Sequence, residues 1–259
     1  MTIRRFYSPR LAEPGTSVTL PADESRHLTR VLRLRPGARV RVFDGRGQEH
    51  DAVVERDDPR RVVVRLGAAR PTAAEPRVRL SLAVTVLKSR KLDGVIRDAT
   101  ALGAAAVVPL LSERAQAGPT ARGGRISERW RGVAVAAAKQ CGRAVVPEIR
   151  DPVPGRDFVR EPAEDTLRLL LVEPAAAPAG GDADDRSAAR VASPEVLRGA
   201  PPPKHAVIAV GPEGGWTRGE AEAAREHGFH PLTLGDRTLR ADLAPAVALA
   251  VLQFVWGDL

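Results

Sequence analysis

The residues whose types and spacing could do chemistry are concentrated in Ala209-Val210-Gly211-Pro212-Glu213-Gly214-Gly215-Trp216-Thr217. An apolar run ends there in a glycine-rich turn. Thr217-Arg218-Gly219-Glu220 then has the spacing of a capping box that opens a helix. A glycine loop at the carboxyl end of a parallel strand lets the backbone approach a bound molecule closely. The segment lacks the Lys-Ser/Thr of a phosphate-binding P-loop and the spacing of a dinucleotide fingerprint. Gly214-Gly215 alone reads equally well as a tight turn. A second glycine-bearing loop, Leu234-Gly235-Asp236-Arg237-Thr238-Leu239-Arg240, shifts the weight toward a ligand site. The five histidines and the single cysteine show no metal-ligand spacing, so no metal is expected.

These loops need a scaffold of strands and helices in alternation. Val78–Leu87, Ala106–Leu110, Leu167–Val172, His205–Val210 and Pro231–Leu234 read as strands. Two of them are continuous apolar runs, as in a sheet covered on both faces. Leu92, Val95, Ile96, Ala99 and Leu102 have helical spacing, and Gly103 follows as a stop. Ser127 is the expected cap of a helix through Trp130, Val133 and Ala137 to Gly142. Leu243, Val247, Ala250 and Phe254 line one face of a last helix. The Ala-, Pro-, Gly- and Asp-rich stretch Pro174–Pro203 reads as a loop with a short helix near Ala188–Leu197. The class is α/β with a mainly parallel sheet.

The first seventy or so residues differ. Val18–Leu20, Arg39–Phe43, Asp51–Glu55 and Arg61–Leu66 are short strand-like runs, and Asp44-Gly45 with Arg46-Gly47 supplies hairpin chemistry. One helix interrupts them, with Asp23 as its cap and Leu28, Val31 and Leu32 on one face. A small barrel fits, and Pro71–Pro76 reads as a linker. The expected division is 1–72 and 73–259.

Charge narrows the partner. Forty Lys+Arg against 32 Asp+Glu give +8, mostly from arginine. Arginine suits planar phosphate recognition, although a G- and C-rich genome would enrich the same residues. Arg26, Arg30 and Arg33 fall three or four residues apart on the proposed helix, a spacing that could track phosphates or simply form a solvated face. Arg5, Arg10, Lys88 and Arg90 join them as candidate nucleic-acid contacts. Cys141 reads as a buried small hydrophobe in a reducing compartment. No apolar run reaches the roughly 18 residues of a membrane span, and Met1–Arg5 leads into no signal-type apolar run. The expected location is the cytoplasm.

The ordered set of motifs resembles the ribosomal RNA small subunit methyltransferase E family of the SPOUT superfamily. The resemblance is carried by Val210–Trp216, Leu234–Arg240, Leu102-Gly103-Ala104 and Pro109–Arg114. Ala138–Arg143 with Val146-Pro147, Arg5-Phe6-Tyr7 and His27–Arg33 extend it over nearly the whole chain. It implies a small PUA-like β-barrel that binds RNA, followed by a SPOUT-type trefoil-knotted α/β domain. It also implies a homodimer, and methylation of N3 of a uridine in 16S ribosomal RNA of the small subunit. The cofactor would be S-adenosyl-L-methionine. By the same resemblance, three stretches hold it: Leu171, Val172 and Glu173; Val210, Gly211, Pro212, Glu213, Gly214 and Gly215; and Leu234, Gly235, Leu239 and Arg240. Arg114, Arg143 and Arg240, with Arg237, are candidates to stabilise charge on the uracil oxygens. Glu213 and Asp242 are readable as structural carboxylates or as substrate contacts.

The chain departs from the family pattern at Asp98 and Ala101, and at Ala241–Ala244, where the family carries hydroxyls. Two other readings therefore stand beside the first. One is a SPOUT-type methyltransferase with a different RNA or nucleoside target; the other is an inactive RNA-binding factor of the same fold.

Overall fold

The computed structural model describes residues 3–88, 90–115, 124–174 and 193–259. The chain separates into two compact units, Met1–Glu75 with Val135–Val146, and Pro76–Ala134 with Pro147–Leu259. The contiguous division at residue 72 does not capture the return of Val135–Val146 to the first unit.

In the first unit, strands β1 (Arg5–Tyr7), β2 (Ser17–Thr19), β3 (Arg39–Phe43), β4 (Glu49–Arg56) and β5 (Val63–Ala69) lie in the order β1-β3-β4-β5-β2. β1 runs parallel to β3, and the other pairs are antiparallel. Alternation points Val40, Val42, Val54, Val64 and Leu66 inward, around Phe6 and Leu28. Register shifts along β4 are bulges of the kind that curl a sheet. The β3–β4 turn is held by the Asp44 carboxylate, which accepts the backbone N–H of Arg46 and Gln48.

The helix of this unit departs from expectation. α1 (Ala22–Arg26) is preceded by Pro21 rather than capped by Asp23, and a π-helical turn follows at His27–Val31. The wider turn rotates Val31 out to solvent, where it is 66% exposed, while Leu28 stays in the core. Arg33 then adopts a left-handed backbone, φ 53°. Arg26, Arg30 and Arg33 are all exposed, but no regular helix spaces them.

Among the described residues, the second unit is built on a seven-stranded sheet of β6 (Arg79–Thr85), β7 (Ala106–Leu111), β8 (Glu148–Ile149), β9 (Val153–Pro154), β10 (Thr166–Leu171), β11 (His205–Val210) and β12 (Phe229–Leu232). The order is β12-β10-β11-β6-β7-β8, with β9 also on β7, and every pairing is parallel. β12 ends at Leu232, opposite Leu171, two residues before the strand expected to reach Leu234. Helices α2 (Lys91–Ala101), α3 (Gly124–Cys141, whose residues from Val135 on belong to the first unit), α4 (Gly155–Val159), α5 (Pro194–Arg198) and α6 (Arg218–Glu226) lie between strands in chain order, and α7 (Ala244–Trp256) follows β12. α4 and α6 share the cluster of Val108, Phe158, Leu170, Ala209 and Phe229, and α7 packs on β6 and β11. Among the described residues, no helix is long and apolar enough to cross a membrane.

Three further expectations are corrected. Ser127 lies inside α3, fully buried with its hydroxyl unpartnered, so it caps nothing. Cys141 is exposed, because it ends α3 on the helix's outer side. In α7, Ala248, Leu249, Leu252 and Trp256 form the buried face, and Leu243 and Phe254 point outward at 49% and 61% exposure. An all-apolar helix offers two such faces, and periodicity alone does not choose between them. Residues 188–192 of the expected short helix lie outside the described residues; α5 begins at Pro194, with Ser193 as its cap.

Candidate active site

The strand order reverses beside β6, where β7 lies on one side and β11 on the other. Ligands of open parallel sheets bind at the carboxyl ends of the strands near such a point. A cavity of about 800 Å³ lies there, against the ends of β10 and β11 and the loop after β12. It is lined by Leu171, Val172 and Glu173, by Val210–Gly215, and by Leu234, Leu239 and Arg240. All three expected stretches therefore meet in one place. Gly235 is the exception; it is not a lining residue, and its φ of 83° serves the turn of its loop.

The glycine turn is built by local chemistry. The Gly215 N–H donates to Pro212 O at 2.9 Å, and Gly215 has φ 67°, a left-handed geometry that favours glycine. Thr217 and Glu220 then form the expected capping box that starts α6. The second oxygen of Glu220 accepts the Glu113 N–H at 3.1 Å, tying the end of β7 to the turn. Arg114 completes that link, donating from Nη1 to Gly214 O at 2.8 Å and Trp216 O at 3.3 Å.

Charges around the cavity are largely paired. Lys91 meets Glu213 at 3.0 Å, Arg240 grips Asp242 through two bonds, and Arg218 meets Glu222 at 2.7 Å. Partial burial pushes the Glu213 carboxyl up, but its own backbone N–H and Lys91 outweigh that and hold it below the usual range. Asp242 is held low chiefly by its hydrogen bond from Arg240. Both are therefore ionised at neutral pH.

Two of the candidate arginines are placed elsewhere. Arg143 is 6% exposed in the first unit, where its Nε donates to Glu75 at 2.9 Å. Arg5 is partly buried beside Glu49, and its Nη1 donates to the Ala138 carbonyl at 2.6 Å. Both belong to ion pairs that fasten the end of α3 into its unit, so neither guanidinium is presented to a ligand. Arg10, Lys88 and Arg90 are exposed. Sequence reasoning missed Lys91, Arg218, Ala221, Glu222 and Arg225 as cavity residues. The last four recur at helical spacing from the capping box onward, a pattern that marks one face of α6.

Residues 74–253 match the RNA methyltransferase domain family, and residues 20–67 match the RNA methyltransferase PUA domain family. The chain is 34% identical to the ribosomal RNA small subunit methyltransferase E of Synechocystis sp. over 96% of its own length and 77% of that protein's. The chain belongs to the ribosomal RNA small subunit methyltransferase E family. Its Aquifex aeolicus relative of the same name is 28% identical, covering 96% of this chain and 98% of the relative. The crystal structure of the Neisseria gonorrhoeae methyltransferase E bound to S-adenosyl methionine superposes with a TM-score of 0.83 at 29% identity, over 98% of each chain. The fold is that of the family, a PUA-like barrel and a parallel-sheet SPOUT domain.

Proposed function

We propose that this protein transfers the methyl group of S-adenosyl methionine to N3 of a uridine in 16S ribosomal RNA. The observation that carries the reading is the convergence of three strand-end loops, with Gly211, Gly214 and Gly215 among them, on one cavity of about 800 Å³ in a chain of this family. That volume lies within the range of small-ligand sites, roughly 300–1,000 Å³.

The lining fits the cofactor. Leu171, Val210, Leu234 and Leu239 offer apolar surface to an adenine, and Gly211, Gly214 and Gly215 carry no side chain of their own. Glu173, Glu213 and Asp242 line the same cavity, where their carboxylates suit a sulfonium, and Arg240 is paired with Asp242. Bound S-adenosyl methionine supplies an electrophilic methyl group. The chain's own task is to align the base with it and to stabilise charge on O2 and O4 as N3 loses its proton. Arg237 and Arg240, both on the third loop and both lining the cavity, are the donors in reach of a base placed there. Arg114 is committed to the glycine turn and acts through it.

The division of labour follows the two parts. Residues 1–72 grip RNA through exposed arginines, Arg10, Arg26, Arg30 and Arg33, and residues 73–259 do the chemistry, with Lys88 and Arg90 flanking the site. The outward apolar face of α7, with Leu243 and Phe254, is suited to a second copy of the chain. The setting is the cytoplasm, with the small ribosomal subunit as partner.

The test is nucleoside mass spectrometry of 16S RNA, naked and as assembled small subunits, after incubation with protein and S-adenosyl methionine. 3-Methyluridine is expected. A methyl group on a ribose or another base redirects the reading to a different target. RNA binding with no heat of S-adenosyl methionine binding would mark an inactive factor.

A further inference from the structure

Trp216 stands where three strand ends meet. Its indole N–H donates to Leu171 O, at the end of β10, at 3.0 Å. Its ring lies over Gly211, just beyond the end of β11: a Cβ at position 211 would stand 3.1 Å from Cε2, 3.2 Å from Nε1 and 3.3 Å from Cδ2. Its carbonyl accepts from Arg114, just beyond the end of β7, at 3.3 Å. The same ring packs on the apolar cluster beneath α6 and lines the cavity.

We propose that Trp216 is the positioning residue of the cofactor site, its indole setting the spacing of the β10 and β11 loops between which S-adenosyl methionine is held. The inference rests on the function proposed above and adds a role for a residue outside the three stretches assigned to the cofactor. The physical argument is rigidity. Three atoms of a fused ring would stand 3.1–3.3 Å from any Cβ at position 211, and a fused ring has no flexible end that could move aside. A side chain at 211 would therefore crowd the indole and push it toward the loop end of β10. The hydrogen bond to Leu171 fixes the ring in its plane, so the gap between the two loops is set by the ring's dimensions. A phenyl ring would fill part of the same volume but could not make that bond.

The pair Gly211 and Trp216 makes the idea testable without relying on one variant. Trp216→Phe, Trp216→Leu, Gly211→Ala and the double variant Gly211→Ala/Trp216→Leu are compared with the parent in the full chain. S-Adenosyl methionine affinity is read by calorimetry, and KM and kcat on 16S RNA by methyl incorporation. Loss of one neutral hydrogen bond predicts about a fivefold weaker cofactor affinity for Trp216→Phe. The loss should be larger in cofactor affinity than in kcat at saturating cofactor or in the KM for RNA, and the thermal melt should fall by no more than one hydrogen bond's worth. Gly211→Ala should weaken the cofactor further, and the double variant should bind better than Gly211→Ala alone, because the smaller side chain opens the space.

A folded Trp216→Phe with parental cofactor affinity, or strictly additive effects in the double variant, overturns the inference. So does a rise confined to the KM for RNA, which would make Trp216 a base-stacking residue. With the parent active, these outcomes leave the proposed function standing. A parent that binds no S-adenosyl methionine overturns both.

Discussion

In the first unit Arg5 lies beside Glu49 and Arg143 beside Glu75, with side-chain exposures of 10% and 7% for the two arginines. In the second unit Arg114, Arg237 and Arg240 stand at the wall of an open cavity. All five belong to segments carrying the same family resemblance, and position in the sequence gave no reason to treat them differently. Burial separates them. A guanidinium taken out of water must be matched by carboxylates and carbonyls of its own chain, which leaves nothing to offer a ligand. Arg5 and Lys139 show the arrangement most fully. Arg5 donates to the Ala138 carbonyl near the end of α3, and Lys139 pairs with buried Glu24 at 2.8 Å while lying 5.4 Å from the Phe6 ring centre. Cations near a helix C-terminus also complement its dipole.

The sharpest way to break this comparison is Arg5→Ala. It strands Glu49, 5% exposed, without its partner, and about 3 kcal/mol of stability should be lost. S-Adenosyl methionine affinity should not change. Urea unfolding with parallel calorimetry reads both, and a wild-type unfolding midpoint would show that the pair is not structural.

Gly214→Val tests the other side. Among the described residues, a Cβ at 214 meets only Arg114 carbons at 3.6 Å, an ordinary contact, so the fold should tolerate the change. The branched side chain crowds the cavity wall, and cofactor affinity should fall by about thirtyfold, roughly 2 kcal/mol. Unchanged calorimetric affinity in a variant with a native melt would remove the turn from the site.

A smaller effect is expected from replacing exposed Arg26, Arg30 and Arg33 together by Ala. RNA affinity should weaken about tenfold, and the salt slope should flatten by about 2 if all three touch phosphate. Because the π-helical turn and the left-handed Arg33 break their common helical face, one or two contacts are also an informative result. Cofactor affinity should hold. A parental salt slope would make the three arginines a solvated surface.

The smallest effect is in the pH dependence. Burial raises the Glu24 carboxyl above its ordinary value, and Lys139 offsets this only in part. The folded state therefore takes up that proton more readily than the unfolded chain. Its contribution is full below the unfolded value of about 4.3 and is lost as pH rises through the raised folded value. Asp258, in the second unit, is the reverse. Its burial is outweighed by the Arg77 and Val78 N–H groups and the Arg77 guanidinium, which hold the carboxyl low. Its contribution is present above about 3.9 and lost as pH falls through the depressed value. Urea midpoints across the acid range should show Glu24→Gln and Asp258→Asn changing the slope in opposite senses. Equal changes would contradict the assignment.

The longer strands and helices of the second unit were legible to within a few residues because their signals are local; the short β8, β9 and α4 (Gly155–Val159) were not read. The five apolar residues of His205–Val210 are buried, as a strand covered on both faces requires, and the Thr217–Glu220 capping box forms as spaced. What failed depended on partners far along the chain. Ser127 looked like a cap but is enclosed in mid-helix, and the α7 face that periodicity marked is the outward one. The two-residue strands β8 and β9, which exist only by pairing with β7, have no pattern long enough to read.

By itself the sequence determined the fold class, the ligand-loop character of Gly211–Gly215 and Leu234–Arg240, and the family. The first two follow from glycine, capping and hydrophobic spacing, which act between near neighbours; the family follows from the resemblance carried by the ordered motifs. Only the tertiary structure decided that the loops close on one cavity, that Trp216 spaces two of them, and that Arg143 and Arg5 are spent inside the first unit. The reason is physical. Whether a charge is solvated, paired or presented depends on what the fold brings within about 3 Å of it, and the groups that do so here lie 44 to 138 residues away.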